Sequence, residues 1–193
     1  MSIVDTVART ITYRIAYYGP GLCGKTTNLT RMHALTPGER RRRAPCLAAE
    51  ADRKLSVVLG IEPALAPPGL TPYAVLLTVP GPLFYDPSRR LILRAVDGVA
   101  FIADSQEIRR VANIESMQNL CDNLEANGLD PATVPMVLQY NKRDLPDVLP
   151  VATLDQELNP RGRPRFEGIA LRDIGVRDTF DACVSLIARA GSP

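Results

Sequence analysis

The apolar residues of the chain follow two spacings that predict alternating strands and helices. Short runs in which every residue or every second residue is apolar predict β-strands at 11–18, 55–61, 73–79, 98–104 and 134–140. Apolar residues three or four positions apart predict helices within 109–127 and 176–190. The apolar positions of the first of these helices are Val111, Ile114, Met117, Leu120, Cys121 and Leu124. Strands that alternate with helices predict an α/β fold with a mostly parallel sheet.

The strand at 55–61 has a pattern that also bears on movement. Its predicted apolar face carries Leu55, Val57, Leu59 and Ile61, and its other face carries Ser56, Val58, Gly60 and Glu62. Because strand side chains have a period of two, a slide by two residues keeps the apolar face inward, whereas a slide by one turns it outward. We therefore predict a mobile strand that shifts in steps of two. The Pro- and Gly-rich stretch 63–72 is predicted to be a hairpin connection to the next strand.

Length and composition are typical of one globular domain spanning 1–193. The hydrophobic content is 46% and the mean hydropathy is −0.02. Lys and Arg number 23 against 21 Asp and Glu, so no overall field favours nucleic acid or a membrane as a partner. The most apolar region, 91–103, contains Arg94 and Asp97, which excludes a membrane span there. No targeting segment is recognisable, so we expect a cytoplasmic protein.

The cysteines and a run of arginines give weaker signals. Cys23, Cys46, Cys121 and Cys183 are scattered without a C-x-x-C pair or a histidine cluster, which argues against a zinc site. Four consecutive arginines at 40–43 are interpreted first as a solvated loop. A contact for an acidic partner or a lipid is the alternative for this run.

The stretch from Gly19 to Thr26, GPGLCGKT, matches the phosphate-loop pattern G-x-x-x-x-G-K-[ST]. In that pattern the glycines let backbone N–H groups turn toward phosphate, the lysine reaches the β- and γ-oxygens, and the hydroxyl ligates Mg²⁺. A predicted strand precedes the loop and a predicted helix follows it, as this chemistry requires. We therefore predict a nucleotide phosphate site and disfavour the alternative, a glycine turn with an incidental lysine.

The base is predicted by Asn141-Lys142-x-Asp144, which follows the strand at 134–140. A carboxylate at this point accepts hydrogen bonds from N1–H and the exocyclic amine of guanine, a pair of donors that adenine cannot offer together. The lysine stem packs on the base and the asparagine braces the loop. A nucleoside-monophosphate kinase would share the phosphate loop, but nothing predicts this guanine reader in one.

Several strings together resemble the MglA group of bacterial Ras-like GTPases, the polarity switches of gliding and twitching motility. They are YYGPGLCGKTTNL (17–29), EADR (50–53), TVPGPLFYDPSRRLILRAVDGV (78–99), ADSQ (103–106) and QYNKRDLP (139–146). The resemblance covers 13 to about 180, and it includes Thr78, where most small GTPases carry aspartate. It implies a Ras-like fold with the nucleotide at the carboxyl ends of the strands.

The resemblance also implies which residues act on GTP, GDP and Mg²⁺. Lys25 and Arg53 are the implied catalytic residues, with Arg53 as an arginine finger supplied in cis, and Thr26 is the implied metal ligand. An ordinary surface arginine is the alternative for Arg53. The implied nucleotide-binding residues are Gly19, Gly21, Leu22, Cys23, Gly24, Lys25, Thr26, Thr27, Gly81, Asn141, Lys142, Asp144 and Ala170.

Two departures from the family pattern fall outside the binding loops. Pro82 stands where the family has the glutamine that positions the attacking water, and Lys54 stands where it has a threonine near Mg²⁺ and the γ-phosphate. We therefore expect intact nucleotide binding and very slow GTP hydrolysis. Two functions stay open: a slow GTPase switch, and a scaffold that binds GTP or GDP without hydrolysing GTP.

The resemblance further implies partners and a mobile element. The implied accelerator of hydrolysis is a Roadblock-fold dimer of the MglB type, and the implied targets are polarity or motility effectors. We expect a monomer when the protein is alone, no nucleic-acid partner, and recruitment to the cell pole by its partners. The family resembles Arf proteins in moving the strand that corresponds to 55–61 between nucleotide states.

Overall fold

The structure, a computed structural model, describes residues 2–42, 56–62, 65–79 and 86–191. Several residues singled out in the sequence lie outside the described residues, and the expectations for them stay predictions. They are Cys46, Arg53, Lys54, Leu55, Gly81 and Pro82.

One sheet forms the centre of the described fold. Its strands are β1 (Ile3–Asp5), β2 (Thr10–Tyr18), β3 (Arg41–Arg42), β4 (Ser56–Gly60), β5 (Thr71–Thr78), β6 (Gly98–Asp104), β7 (Met136–Asn141) and β8 (Arg165–Glu167). Their order is β3-β4-β5-β2-β6-β7-β8, and β1 pairs with β2 off this path. The neighbours from β5 to β8 run parallel, whereas β1, β3 and β4 pair antiparallel. The mostly parallel α/β sheet is thus confirmed, in the arrangement of a Ras-like GTPase.

Helices cover both faces of the sheet because the strands bury side chains on both sides. The helices are α1 (Lys25–Leu35), α2 (Asp86–Leu93), α3 (Arg110–Ala126), α4 (Val151–Leu158) and α5 (Val176–Ala190). On β2, Ile15 and Tyr17 join the core under α1 and α5, while Ala16 and Tyr18 join the core under α2, α3 and α4. Helix α5 has the bounds that its apolar spacing predicts.

The strand β4 shows the alternation that the sequence predicts. Val57, Leu59 and Ile61 are buried, whereas Ser56 and Val58 are half-buried. The antiparallel pairing of β4 with β5, with Leu59 opposite Ala74, confirms the hairpin connection. A shift of this strand between nucleotide states stays a prediction.

Helix α3 exists as predicted, but the face predicted to be buried is partly wrong. Leu120 and Leu124 are buried, whereas Val111 and Ile114 are 65% and 41% exposed. The buried positions are instead shared with the polar residues Asn113, Ser116 and Asn123. Asn113 hydrogen-bonds to the backbone of Asp104, and Asn123 accepts from Arg90. Apolar spacing alone cannot indicate such partners, and for this reason it placed the face incorrectly.

Two arginines of the run at 40–43 have structural partners rather than forming a free basic surface. Arg40 forms an ion pair with Glu62. Arg41 donates from Nε to the carbonyl oxygen of Thr36 at 2.6 Å and from Nη2 to that of Ala34 at 2.7 Å, so its charge lies at the carboxyl end of α1. The interpretation of 40–43 as a merely solvated loop is therefore incomplete.

The structure also bears on membrane insertion. Within the described ranges, no helix has both the length and the apolar character needed to cross a membrane.

Candidate nucleotide-binding site

The loop between β2 and α1 has a backbone shape that only glycine adopts freely at two points. Gly19 has φ 138° and Gly24 has φ 104°. A Cβ on Gly19 would lie 2.1 Å from the carbonyl oxygen of Ile102, and one on Gly24 would lie 2.3 Å from Nδ2 of Asn141. These two glycines thus allow the loop to pass over β6 and β7 at a distance that no side chain permits.

Backbone N–H groups without a hydrogen-bond partner lie where this loop meets α1. The N–H groups of Gly24, Thr26 and Thr27 donate to no atom of the described residues. Thr26 is exposed and Thr27 is half-buried at the first turn of the helix. Because the positive end of α1 lies here as well, the arrangement suits an anion.

Lys25 is a buried cation in this loop. Its Nζ donates to the carbonyl oxygens of Gly19 at 2.8 Å and Pro20 at 2.6 Å, and it lies 3.7 Å from Sγ of Cys23. In the described part of the chain no carboxylate forms an ion pair with it. Burial lowers the pKa of the Lys25 ammonium, the Cys23 thiol partly offsets this, and the charges of Arg89 and Arg109 lower the pKa further. A phosphate would supply the missing negative charge.

Asn141 connects three loops with one side chain. Its Nδ2 donates to the carbonyl oxygen of Cys23 at 2.8 Å, and its Oδ1 accepts from the N–H of Ala170 at 3.0 Å. Both polar atoms of the side chain therefore help to join the glycine loop, the end of β7 and the loop before α5. This is the brace that the N-K-x-D pattern predicts, and the structure identifies its two partners.

The other two residues of the N-K-x-D pattern lie beside this brace. Lys142 has φ 66° and donates from Nζ to Oδ2 of Asp104 at 2.6 Å. Asp144 lies at the rim with its side chain 25% exposed, and Nη2 of Arg172 is 3.9 Å from its carboxylate. Asp144 takes no part in the two hydrogen bonds of Asn141, so its partly exposed carboxylate can accept hydrogen bonds from a ligand.

Sequence reasoning missed Asp104 and Arg109 as site residues. Asp104 is buried at the end of β6, where it pairs with Lys142 and lies 3.9 Å from Nε of Arg109. Nη2 of Arg109 donates to the carbonyl oxygen of Gly21 at 2.7 Å. Asp104 thus connects the glycine loop to the N-K-x-D loop. An acidic residue directly after a buried parallel strand was the available signal, since such strand ends meet at one edge.

A second polar cluster lies beneath the glycine loop, and we call it the α2–α3 joint: Tyr18, Arg89, Asn119 and Asn123. Arg89 is fully buried, donates to Oδ1 of Asn119, and lies 5.3 Å from the ring centre of Tyr18. The hydroxyl of Tyr18, the residue directly before Gly19, donates to the same oxygen at 2.5 Å. Polar residues at helical spacing on α3 were the signal that could have found it.

The predicted site residues that the structure describes come together at one edge of the sheet. They include 19–27, 141–144 and Ala170, whereas Arg53 and Gly81 lie outside the described residues. The unpaired loop amides, the buried cation and the rim carboxylate fit a nucleotide with phosphates and a base. Within the described ranges no group of three or more His, Cys, Asp or Glu forms a metal site. Mg²⁺ that is bound mainly through phosphates and one hydroxyl needs no such group.

Comparison with known proteins decides the family. The chain is 43% identical over 187 residues to the mutual gliding-motility protein MglA of Myxococcus xanthus (strain DK1622), covering 97% of this chain and 96% of that protein. The chain belongs to the MglA family. No protein-family profile matches the chain. Membership of this family of small GTPases agrees with the α/β fold and the mostly parallel order of its sheet.

Proposed function

We propose that this MglA-family protein is a guanine-nucleotide-binding switch that binds GTP and GDP with Mg²⁺ and hydrolyses GTP very slowly. By analogy with its relative, named a gliding-motility protein, its GTP form would act on polarity or motility effectors. The proposal treats 1–193 as one nucleotide-binding domain in a cytoplasmic monomer.

The observation that carries the proposal is the pair of hydrogen bonds made by Asn141. The bond to the Cys23 carbonyl and the bond from the Ala170 N–H hold the phosphate loop and the base loops in one fixed arrangement. A turn that happened to match a phosphate loop would have no reason to be coupled to an N-K-x-D loop 119 residues away from Lys25. This coupling supports a single ligand that carries both phosphate and guanine.

In the proposed complex each residue type has a physical task. The Lys25 ammonium would turn from the loop carbonyls to the β- and γ-oxygens, and the N–H groups of Gly24, Thr26 and Thr27 would donate to phosphate. The Thr26 hydroxyl would hold Mg²⁺, together with phosphate oxygens. Bound Mg²⁺ neutralises charge on the β- and γ-phosphates. The backbone of Gly19, Gly21, Leu22 and Cys23 would complete the loop, and Gly81 is assigned to the same phosphate site by the family resemblance.

Base selection is assigned to the N-K-x-D loop. Asp144 would accept hydrogen bonds from the guanine N1–H and the exocyclic amine. The Lys142 stem would pack on the base, and the loop that contains Ala170 would close over the base. The pairing of Lys142 with Asp104 at 2.6 Å holds that lysine in position before the base arrives.

Hydrolysis is the weak step of the proposed cycle. Arg53 would stabilise charge in the transition state, an effect worth about 10³–10⁵ in rate in related chemistry. It cannot orient the attacking water, and the Pro82 side chain has no polar atom for that task. Proline also fixes its own φ and favours an extended Gly81, which limits closure of the loop. The second candidate, a scaffold without hydrolysis, is favoured by Pro82 and Lys54 together.

The test is the nucleotide content of the purified protein, followed by single-turnover GTP hydrolysis with and without an MglB-type Roadblock dimer. We expect copurified guanine nucleotide and very slow turnover. The double variant Pro82→Gln with Lys54→Thr should hydrolyse GTP at least about tenfold faster with the Roadblock partner, with unchanged GTP affinity.

Three results would contradict these expectations. Copurified adenine nucleotide, or no nucleotide binding in a titration, would refute the guanine site. If the unmodified protein already turns over as fast as the double variant, another residue positions the water. Turnover that stays absent in both would favour the scaffold.

A further inference from the structure

The loop that joins β8 to α5 is held in an unusual backbone shape next to the proposed base site. It contains a short 3-10 turn, Ala170–Arg172, followed by Asp173 with φ 65°. A left-handed backbone disfavours most residues with a side chain, although aspartate tolerates it better than others. The loop holds this shape through its own backbone hydrogen bonds, such as that from the Asp173 N–H to the Ala170 carbonyl oxygen at 3.3 Å, and through contacts from outside.

One such contact comes from the phosphate-loop helix. Arg31 lies on α1, and its Nε and Nη2 donate to the two carboxylate oxygens of Asp173 at 2.5 Å and 2.6 Å. This two-bond pairing of a guanidinium with a carboxylate is the strongest common side-chain geometry. The Arg31 hydrogen bonds lower the pKa of the Asp173 carboxyl, so the pair is charged at neutral pH.

The pair connects two parts of the site that serve different ends of a nucleotide. Helix α1 begins at Lys25, on the phosphate side, and the loop of Asp173 carries Ala170, on the base side. The buried Asn141 joins the two sides in the interior of the site. Arg31 and Asp173 hold them from the outer surface, with side chains 40% and 32% exposed.

We propose that Arg31 and Asp173 are positioning residues that form an outer clamp and slow the release of guanine nucleotide. The inference rests on the proposed function, and it adds a determinant of nucleotide lifetime that no motif contains. A base cannot leave while the loop of Ala170 stays closed on it, and the loop cannot move away from α1 without breaking both bonds of the pair. Because the pair is partly exposed, it slows opening of the loop by only a modest factor, and salt weakens it.

The experiment measures release of a fluorescent GDP analogue from the full-length protein after addition of excess unlabelled GDP. The variants are Arg31→Gln and Asp173→Asn, each close in shape to the original, their double variant, and Arg31→Lys. The control is Arg165→Gln, which removes the ion pair between Arg165 on β8 and Asp155 on α4. The two groups are 3.2 Å apart, and their side chains are 37% and 34% exposed.

We expect both single variants to release the nucleotide about two- to fivefold faster, and the double variant to be no faster than either. Arg31→Lys should fall between the wild type and Arg31→Gln, and Arg165→Gln should match the wild type. Raising salt from about 0.1 M to about 1 M should speed release from the wild type but not from Arg31→Gln. A merely structural role would not produce this difference in salt response.

Release at the wild-type rate from both single variants, or additive effects in the double variant, would overturn the clamp while leaving the proposed function in place. An equal effect of Arg165→Gln would also overturn it, because any lost ion pair would then suffice. If the wild type binds no guanine nucleotide, the proposed function fails, and the clamp fails with it.

Discussion

The phosphate side and the base side of the site are built from different kinds of contact. On the phosphate side the loop is shaped by backbone, with two glycines passing close to Ile102 and Asn141 and with one buried cation, Lys25. On the base side the loops are joined by side chains from distant segments, through Asp104 with Lys142 and Arg31 with Asp173. The phosphate side therefore depends on the absence of side-chain atoms, and the base side depends on matched pairs.

This difference determines which substitutions each side tolerates. Adding one methyl group at Gly19 or Gly24 is harmful because a Cβ there would lie 2.1 Å from the Ile102 carbonyl oxygen or 2.3 Å from Nδ2 of Asn141. Replacing one partner on the base side leaves the loop in place but loosens it, since other bonds remain. Substitutions therefore separate the two sides by their effects on affinity, on base discrimination and on release.

The largest effect is expected from Gly24→Ala, which damages both sides at once. The new Cβ would occupy the position of Asn141 Nδ2, and a left-handed alanine costs about 1–2 kcal/mol. Each hydrogen bond that Asn141 loses adds about 1–3 kcal/mol, so we expect at least an approximately hundredfold loss of GDP affinity in a titration. The matched control is Gly21→Ala, because a Cβ there meets nothing within 4 Å. Equal losses in both variants would contradict the close-approach argument.

A smaller loss, confined to the phosphate side, is expected from Lys25→Ala. Removing a charged donor to phosphate costs about 1.5–3 kcal/mol, or about ten- to a hundredfold in affinity for both GTP and GDP. Preference for guanine over adenine should survive, because no base contact changes. Competition binding with the four nucleotides GTP, GDP, ATP and ADP measures both quantities. Loss of base preference would show that the two sides are not separable in this way.

The base side is tested by Asp144→Ala, for which we expect at least about tenfold weaker GTP binding. Preference for GTP over ATP should collapse, because the guanine donors lose their acceptor. Inosine nucleotides, which lack the exocyclic amine, provide an internal control. Wild-type protein should bind GDP more tightly than IDP, and the variant should bind the two alike. Unchanged discrimination would refute the assignment of Asp144.

The smallest effect concerns pH. Burial lowers the pKa of Lys25 below its ordinary value of 10.5 in the protein without nucleotide, whereas a phosphate next to the ammonium favours the charged form. Binding therefore takes up protons at alkaline pH, and GDP affinity should fall as pH rises toward the ordinary lysine value. Calorimetry in buffers of different ionisation enthalpy measures this uptake. In Lys25→Ala the uptake should vanish, and a persistent uptake would assign the proton to another group.

The elements of the fold were predictable because they follow from local spacing. Strands and helices are set by the period of apolar residues. β4 has the alternation expected from it, and α5 has the expected bounds. The face of α3 was not predictable in this way. Its buried Asn113 and Asn123 are stabilised by Asp104 and Arg90, and its half-buried Asn119 is stabilised by Arg89. The positions of these partners beside the helix depend on the folded chain.

The candidate site shows the same limit. Motifs with fixed spacing, such as 19–26 and 141–144, indicate their chemistry from sequence because the backbone shape is encoded within a few residues. The pairs of Asp104 with Lys142 and of Arg31 with Asp173 span 38 and 142 residues and belong to no short pattern. Long-range pairs of this kind become visible only when the topology brings the strand ends together.

The α2–α3 joint has a consequence for how helix α2 detaches. Its first turns, up to Arg90, contact α3 through hydrogen bonds of Arg89 and Arg90, and the buried apolar anchor, Leu93, comes at the end of the helix. Separation of those first turns would break polar contacts and uncover the Tyr18 ring, while the buried contacts of Leu93 stay intact. Its heat-capacity change and its sensitivity to denaturant should therefore be smaller than those for release of the whole helix. We therefore expect helix α2 to separate from α3 first at its amino end, while Leu93 stays packed. Water would then replace the hydrogen bonds to α3 one after another.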